Sequence, residues 1–380
     1  MGRWVARVAS WWQDSARGPG AHQIPQSAAG APLSGVIRGV DSVASKHLKS
    51  RSGCCLMSVV LAHYLHDLNP YVIRFTETFG VRWYGLAYVL GFVVVYLVIK
   101  RITERGWCML KPHEVADFVT YGALLGVLVG GRLGYMVLHD TENFLRAPWI
   151  FFQINKGGMA SHGGILGLTI YIFAYARFKG YRTLNLGDAM VIPATLGLFF
   201  GRLANFINGE LFGRPASVPW AVKFPTEIHH SSFDPAARAQ LDGFGALPMA
   251  SHELMQRAAA DPALREALES VLNPRHPSQI YQALMEGLLL FVILLLLRTR
   301  VRRLPEGLLT AVFFGGYSVL RIIGEMFREP DSGTALVFGV MSNNQFYTLF
   351  LLLVTIGFAL AARRNARLGR FTGPGHPAAG

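Results

Sequence analysis

The sequence predicts an all-α polytopic membrane protein of about seven transmembrane helices with a small extramembrane head on the outer side. Three observations predict it. Apolar residues make up 52% of the 380-residue chain and charged residues 16%, a balance that suits a lipid-embedded bundle better than a soluble enzyme. Seven apolar stretches are each long enough, or nearly so, to cross a hydrocarbon core of roughly 30 Å, which takes about 20 helical residues. The junctions between those stretches alternate in charge, as the ends of membrane helices do.

Residues 1–70 form a basic extension rich in Ser, Ala and Gly, without the uninterrupted apolar core of a cleavable signal peptide. It reads as poorly ordered. A translation start at Met57 is a second reading of this region, which an intact mass that includes residues 1–56 removes. The membrane domain then spans 71–365, its apolar stretches running over 83–100, 118–138, 159–177, 188–207, 279–297, 307–326 and 345–362. Gly122, Gly126, Gly130 and Gly131 inside them suit close helix packing in lipid.

Basic residues follow every other stretch: Lys100, Arg101, Arg105 and Lys111 after the first, and Arg177, Lys179 and Arg182 after the third. Arg298, Arg300, Arg302 and Arg303 follow the fifth, and Arg363, Arg364, Arg367 and Arg370 the seventh. The excess of Lys and Arg places these four ends in the cytoplasm, with the N-terminus outside and the C-terminus inside. The proline-rich insertion 208–277 then lies outside as the head, with a helical pattern over 250–272 capped by Ser251 or Asp261. Residues 366–380 read as a disordered tail.

The formal net charge of +13 is explained by basic loops facing anionic lipid. A nucleic-acid partner is not expected, because the basic residues lie between apolar spans and not along one face. Cys54, Cys55 and Cys108 have no CxxC or metal spacing. His113, His139, His229 and His230 lack a matching carboxylate or cysteine frame. No P-loop, dinucleotide fingerprint or Gly-x-Ser-x-Gly elbow occurs. No metal or other cofactor is expected.

Polar residues converge on the outer side from five segments. Trp83-Tyr84-Gly85 opens the first span there, and Gly157 to Gly164 opens the third. Arg202, Asn205, Asn208 and Glu210 close the fourth, Arg275 to Gln279 precede the fifth, and Arg321, Glu325 and Arg328 close the sixth. Arg202 and Asn205 share one helix face, and such a face is costly in lipid, which makes a functional reading the default. Arg321, Glu325 and Arg328 form one stripe at i, i+4 and i+7. Two readings of it stand: an internal Arg321–Glu325 pair, or a cationic pocket with Arg202 that grips a phosphate through guanidinium forks. His162 is either an interface histidine bonded to a backbone carbonyl or a general base. Tyr84 is either part of an interfacial aromatic belt or a hydroxyl facing the site. Arg132 needs a partner, for which Glu286 or Glu325 could serve, and Glu286 itself is either structural or site-supporting. A transporter of anionic lipid would use intramembrane arginines equally well, but the inverted repeats that favour one are not found.

The run Gly201-Arg202-Leu203-Ala204-Asn205-Phe206-Ile207-Asn208-Gly209-Glu210-Leu211-Phe212-Gly213 resembles the signature of the prolipoprotein diacylglyceryl transferase family. Arg82 to Leu86, Gly130 to Tyr135, Met159 to Gly164, Pro274 to Tyr281 and Gly316 to Asp331 resemble further family motifs, in family order. The resemblance spans roughly 75–365. It implies a multi-pass enzyme of the bacterial inner (cytoplasmic) membrane, of seven spans, with its site open to the periplasmic side. Such an enzyme moves the sn-1,2-diacylglyceryl group of phosphatidylglycerol to the thiol of a lipobox cysteine, releases glycerol phosphate and begins lipoprotein maturation. The partners implied are phosphatidylglycerol, the prolipoprotein signal peptide with its lipobox cysteine, and membrane lipid. No cofactor is implied, and the acceptor cysteine belongs to the substrate. Catalytic roles fall on His162, Arg202, Arg321, Glu210 and Tyr84, with His162 the first candidate for the base and Glu210 the second. Phosphatidylglycerol binding falls on Arg202, Asn205, Gly213, Arg321, Glu325 and Arg328. The chain departs from many relatives at Gln282, where they carry an acidic residue, and in its N-terminal extension.

Overall fold

The computed structural model describes residues 63–75, 80–153, 158–231, 233–246, 249–329 and 343–373. Nearly all of the basic extension therefore lies outside the described residues. Its last part holds strand β1 (Tyr64–Leu65), which pairs with the 208–277 insertion, and just after it β2 (Tyr71–Arg74) pairs antiparallel with β3 (Gly80–Arg82). From Trp83 the chain is overwhelmingly helical, as its apolar runs require.

Nine helices carry the description: α1 (Trp83–Glu104), α2 (Pro112–Leu138), α3 (Ser161–Lys179), α4 (Thr183–Ile207), α5 (Ser251–Ala260), α6 (Pro262–Val271), α7 (Ser278–Arg300), α8 (Leu308–Glu325) and α9 (Asn343–Arg367). Six of them, α1, α2, α4, α7, α8 and α9, are long and apolar enough to cross a membrane among the described residues. The expected third span, α3, is a helix of 19 residues but is not one of these six. Shorter helical turns, Thr141–Arg146 and Pro148–Phe152, connect α2 to α3.

Helices α2 and α3 meet along a glycine seam. A Cβ at Gly130 would lie 2.6 Å from the carbonyl oxygen of Gly163, and one at Gly134 would lie 2.5 Å from the Gly163 Cα. Only hydrogen fits there, so the two backbones touch, the contact that lipid-embedded helices use in place of a hydrophobic driving force.

One end of the bundle is fastened by buried polar groups. Glu114 accepts from Lys179 Nζ (2.9 Å) and Tyr181 OH (2.7 Å), linking α2 to the loop after α3. Glu306 accepts from Arg182 and Asn185, while Asp188 accepts from the Gly307 and Thr310 amides and the Thr310 hydroxyl. Arg298 donates to Thr372. Thr372 belongs to β7 (Phe371–Thr372), which pairs antiparallel with β6 (Leu304–Pro305). Strand β7 thus lies within the 366–380 stretch that composition reads as a tail. The residues beyond, 374–380, lie outside the described set.

The 208–277 insertion carries its own apolar cluster, including Ile228, Phe233, Leu241, Leu254, Leu264 and Leu268, closed by Leu65. Strand β4 (Val222–Lys223) sits between β1 and β5 (Pro274–Arg275). The helical pattern over 250–272 divides into α5 and α6 at Asp261-Pro262. Proline cannot continue the preceding helix, and the Asp261 carboxylate caps α6 by accepting from the Ala263 and Leu264 amides at 3.0 and 3.2 Å.

Candidate active site

The end of the bundle opposite Glu306 is built on the turn that follows α4. After Ile207 the chain reverses through Gly209 (φ 68°) and Leu211 (φ 56°). A left-handed leucine costs roughly 1–3 kcal/mol and persists only where its surroundings over-determine it. Here the start of α7 and the residues just before it do so. Gln279 Nε2 donates to the Glu210 carbonyl at 2.6 Å and Ser278 Oγ to that of Leu211 at 2.9 Å. The Gly213 amide donates to the His276 carbonyl, and Arg275 Nη1 donates to the Gly213 carbonyl at 3.0 Å. Gly213 also bridges Arg328 across a short antiparallel contact. A Cβ at Gly213 would stand 2.5 Å from both the His276 and Phe327 carbonyl oxygens, so this position works by having no side chain.

Below that turn, three helices each send in a charge. Arg202 of α4 places Nη2 3.5 Å from Oε2 of Glu286 on α7. Arg321 of α8 places Nη1 3.5 Å from Oε1 of the same carboxylate. Arg321 Nη2 pairs with Glu325 Oε2 at 2.9 Å. The internal pair expected on the α8 stripe and the approach of Arg202 to Arg321 therefore coexist. The phenol of Tyr317 on α8 lies within electrostatic reach of all four groups. Gly287 makes the geometry possible: a Cβ there would lie 2.6–2.9 Å from Phe199 Cβ, Cα and N, so α7 can press against α4 one turn before Arg202.

Glu210 follows α4 on the reversing turn. Asn205 Nδ2 and Asn208 Nδ2 each reach a different Glu210 carboxylate oxygen at 3.5 Å. Burial pushes the Glu210 carboxyl above the usual carboxylate range, opposed by those two amides and by Arg82. Tyr84, half-buried near the start of α1 with its ring against Tyr88, feels both Glu210 and Arg202. Arg328 is buried just past α8. His162 is the second residue of α3, and its side chain lies outside the described residues.

Arg132 is not part of the cluster, and neither Glu286 nor Glu325 is its partner. Its guanidinium donates instead to the carbonyls of Ile150, Phe151, Gln153 and Gly158 at 2.7–3.1 Å. A turning backbone offers several carbonyls to one planar fork, and four of them accept from this buried arginine. Arg275 is a residue whose role sequence reasoning missed. It is almost fully buried, pairs with Glu227 at 2.7 Å and Glu329 at 3.1 Å, and lies over the Phe212 ring. Glu227 gives no signal in sequence, whereas Glu286 does: a lone carboxylate within an apolar run is costly in lipid.

The sequence profile of prolipoprotein diacylglyceryl transferase matches residues 70–361. The chain belongs to the prolipoprotein diacylglyceryl transferase family. It is 35% identical over 343 residues to the phosphatidylglycerol–prolipoprotein diacylglyceryl transferase of Bdellovibrio bacteriovorus, covering 80% of this chain and 95% of that one. It is 34% identical to the Idiomarina loihiensis enzyme of the same name, covering 80% and 96%. The Neisseria gonorrhoeae enzyme of that name is 35% identical over 77% of this chain and 95% of its own. Arg202, Asn205, Glu210, Arg321 and Glu325 of this family member thus stand at one end of its helical bundle, with Tyr84 beside them.

Proposed function

We propose that this chain transfers the sn-1,2-diacylglyceryl group of phosphatidylglycerol to the lipobox cysteine of a prolipoprotein, the first step of lipoprotein maturation. The thiolate sulfur attacks the glycerol carbon that carries the phosphodiester. A carbon–sulfur bond forms, the carbon–oxygen bond breaks, and the departing oxygen leaves with glycerol phosphate. The observation that carries this reading is the meeting of Arg202 and Arg321 from different helices on opposite oxygens of one buried carboxylate. Two guanidinium groups in a water-poor site stabilise the charge that gathers on the leaving phosphate. A thiol with a reference pKa of about 8.5 must be relieved of its proton. His162 is the first candidate for that base and Glu210 the second, its carboxyl being raised by burial. Asn205 and Asn208 hold Glu210 in place. Glu325 and Arg328 complete the phosphate side, and Tyr84 closes it from α1.

In this reading α3 is a seventh span, the protein resides in the bacterial inner membrane, and the Glu210 end faces the periplasm. The opposite end, with its Arg- and Lys-rich junctions, faces the cytoplasm, as the distribution of basic residues favours. The prolipoprotein enters by its signal peptide, and phosphatidylglycerol enters laterally from the membrane.

The test is a purified-enzyme assay in which phosphatidylglycerol and a lipobox peptide yield glycerol phosphate. Arg202→Ala and Arg321→Ala each lower turnover by about 10²–10³-fold, the range seen when one group stabilising transition-state charge is removed. Turnover that persists at wild-type level in both variants contradicts the assignment.

A further inference from the structure

Two permanent cations do not settle side by side in a low-dielectric interior without a counter-charge. The group that brings Arg202 and Arg321 together is Glu286, which is 0% exposed and contributed by neither of their helices. Each of its oxygens faces a different guanidinium at 3.5 Å. That separation exceeds the about 2.7–2.9 Å of a full charge-assisted hydrogen bond, so the carboxylate orients both forks without using up their donors. Arg321 Nη1 and Glu286 Oε1 are both buried and without a hydrogen-bond partner among the described residues.

The carboxylate is itself tightly confined. It lies in a π-helical stretch of α7, Ala283–Leu289, a widening that often marks functional positions. Gly287 presses that stretch onto Phe199, and on the α8 side a Cβ at Gly324 would lie 3.3 Å from Glu286 Oε1. We infer that Glu286 is a positioning residue: it sets the spacing and tilt of the Arg202 and Arg321 guanidinium groups so that together they receive one phosphodiester. The inference rests on the proposed diacylglyceryl transfer, and it assigns a role to a residue that touches no reacting atom.

The experiment measures glycerol phosphate release from phosphatidylglycerol and a lipobox peptide by wild type, Glu286→Gln, Arg321→Ala and the double variant. Glu286→Gln keeps the volume and removes the charge. Expected are a fall in kcat of about 10²-fold, the cost of misplacing a catalytic group by about 1 Å, and a KM for phosphatidylglycerol that is unchanged or lower. In the double variant the combined loss is smaller than the product of the two single losses, because part of what Glu286 does runs through Arg321. A raised KM at wild-type kcat, or losses that multiply in the double variant, overturns the inference. If Glu286→Gln does not fold, Gly324→Ala decides. It keeps every charge, crowds Glu286 Oε1, and lowers kcat by about tenfold, whereas wild-type kcat overturns the inference. An inactive wild type sinks the transferase reading and this inference together. An active wild type with an impaired Arg321→Ala and unimpaired Glu286 and Gly324 variants sinks this inference alone.

Discussion

Glu325 holds one nitrogen of Arg321 at 2.9 Å, and truncating it strips a partly buried guanidinium of its closest partner. Glu325→Ala is therefore expected to lower stability by about 2 kcal/mol as well as turnover, since leaving a buried polar group without its partner costs roughly 1–3 kcal/mol. Chemical unfolding in detergent micelles measures this, and a stability equal to wild type contradicts the pairing. His66 gives a pH prediction away from the membrane spans. It is fully buried beside Gly209, between the Phe206 and Phe224 rings, with Nδ1 3.3 Å from Met255 Sδ. Burial pushes its imidazole down to about 4. Because the folded value lies below the unfolded value of about 6.5, the unfolded chain binds the proton first. The stability linked to His66 is thus complete above about pH 6.5 and is lost progressively as pH falls toward 4, by about 3 kcal/mol. His66→Phe should flatten that part of the pH dependence of unfolding. An unaltered slope between pH 7.5 and 4.5 contradicts it. The converging polar residues were legible one by one, because charge inside an apolar run is rare. The Arg321–Glu325 pair was legible as well, from its i, i+4 spacing, whereas partners contributed by other elements were not. Arg132 reads like a companion for Glu286, yet its guanidinium is satisfied by carbonyls of the connection between α2 and α3, which no local pattern reveals.

Helix α4, its reversing turn and the start of α7 with the residues just before it form one device, in which side chains from 275–279 clamp the backbone of 210–213. Gly213→Ala adds one methyl group where two carbonyl oxygens stand 2.5 Å away. The clamp must part to admit it. Turnover is expected to fall by about 10²-fold although no polar group is lost, and a wild-type rate would show that the turn does not need this contact. The apolar runs announced the long helices well, since runs of roughly 20 apolar residues carry their own signal. The break at Asp261-Pro262 was readable as a cap within the 250–272 pattern, but not as two separate helices. The three-stranded arrangement β1-β4-β5 was invisible. Its strands are two residues each and come from distant parts of the chain, so neither alternation nor a turn motif marks them.

The bundle has two chemically different ends. One is locked by self-satisfied pairs such as Arg182–Glu306 and by Asp188 on the start of α8. The other gathers Arg202 and Arg321 around Glu286, with Glu210 held by Asn205 on the turn after α4. The alternation of basic junctions foretold this polarity, because helices that alternate in direction bring every second junction to the same end. One lipid phosphate is thereby expected between α4 and α8. This is tested most directly by locating phosphatidylglycerol bound to the protein in lipid nanodiscs by cryo-electron microscopy. Headgroup phosphate oxygens are expected within about 3 Å of guanidinium nitrogens of both Arg202 and Arg321. A phosphate that meets only one of them, or that sits at the Glu306 end, contradicts it.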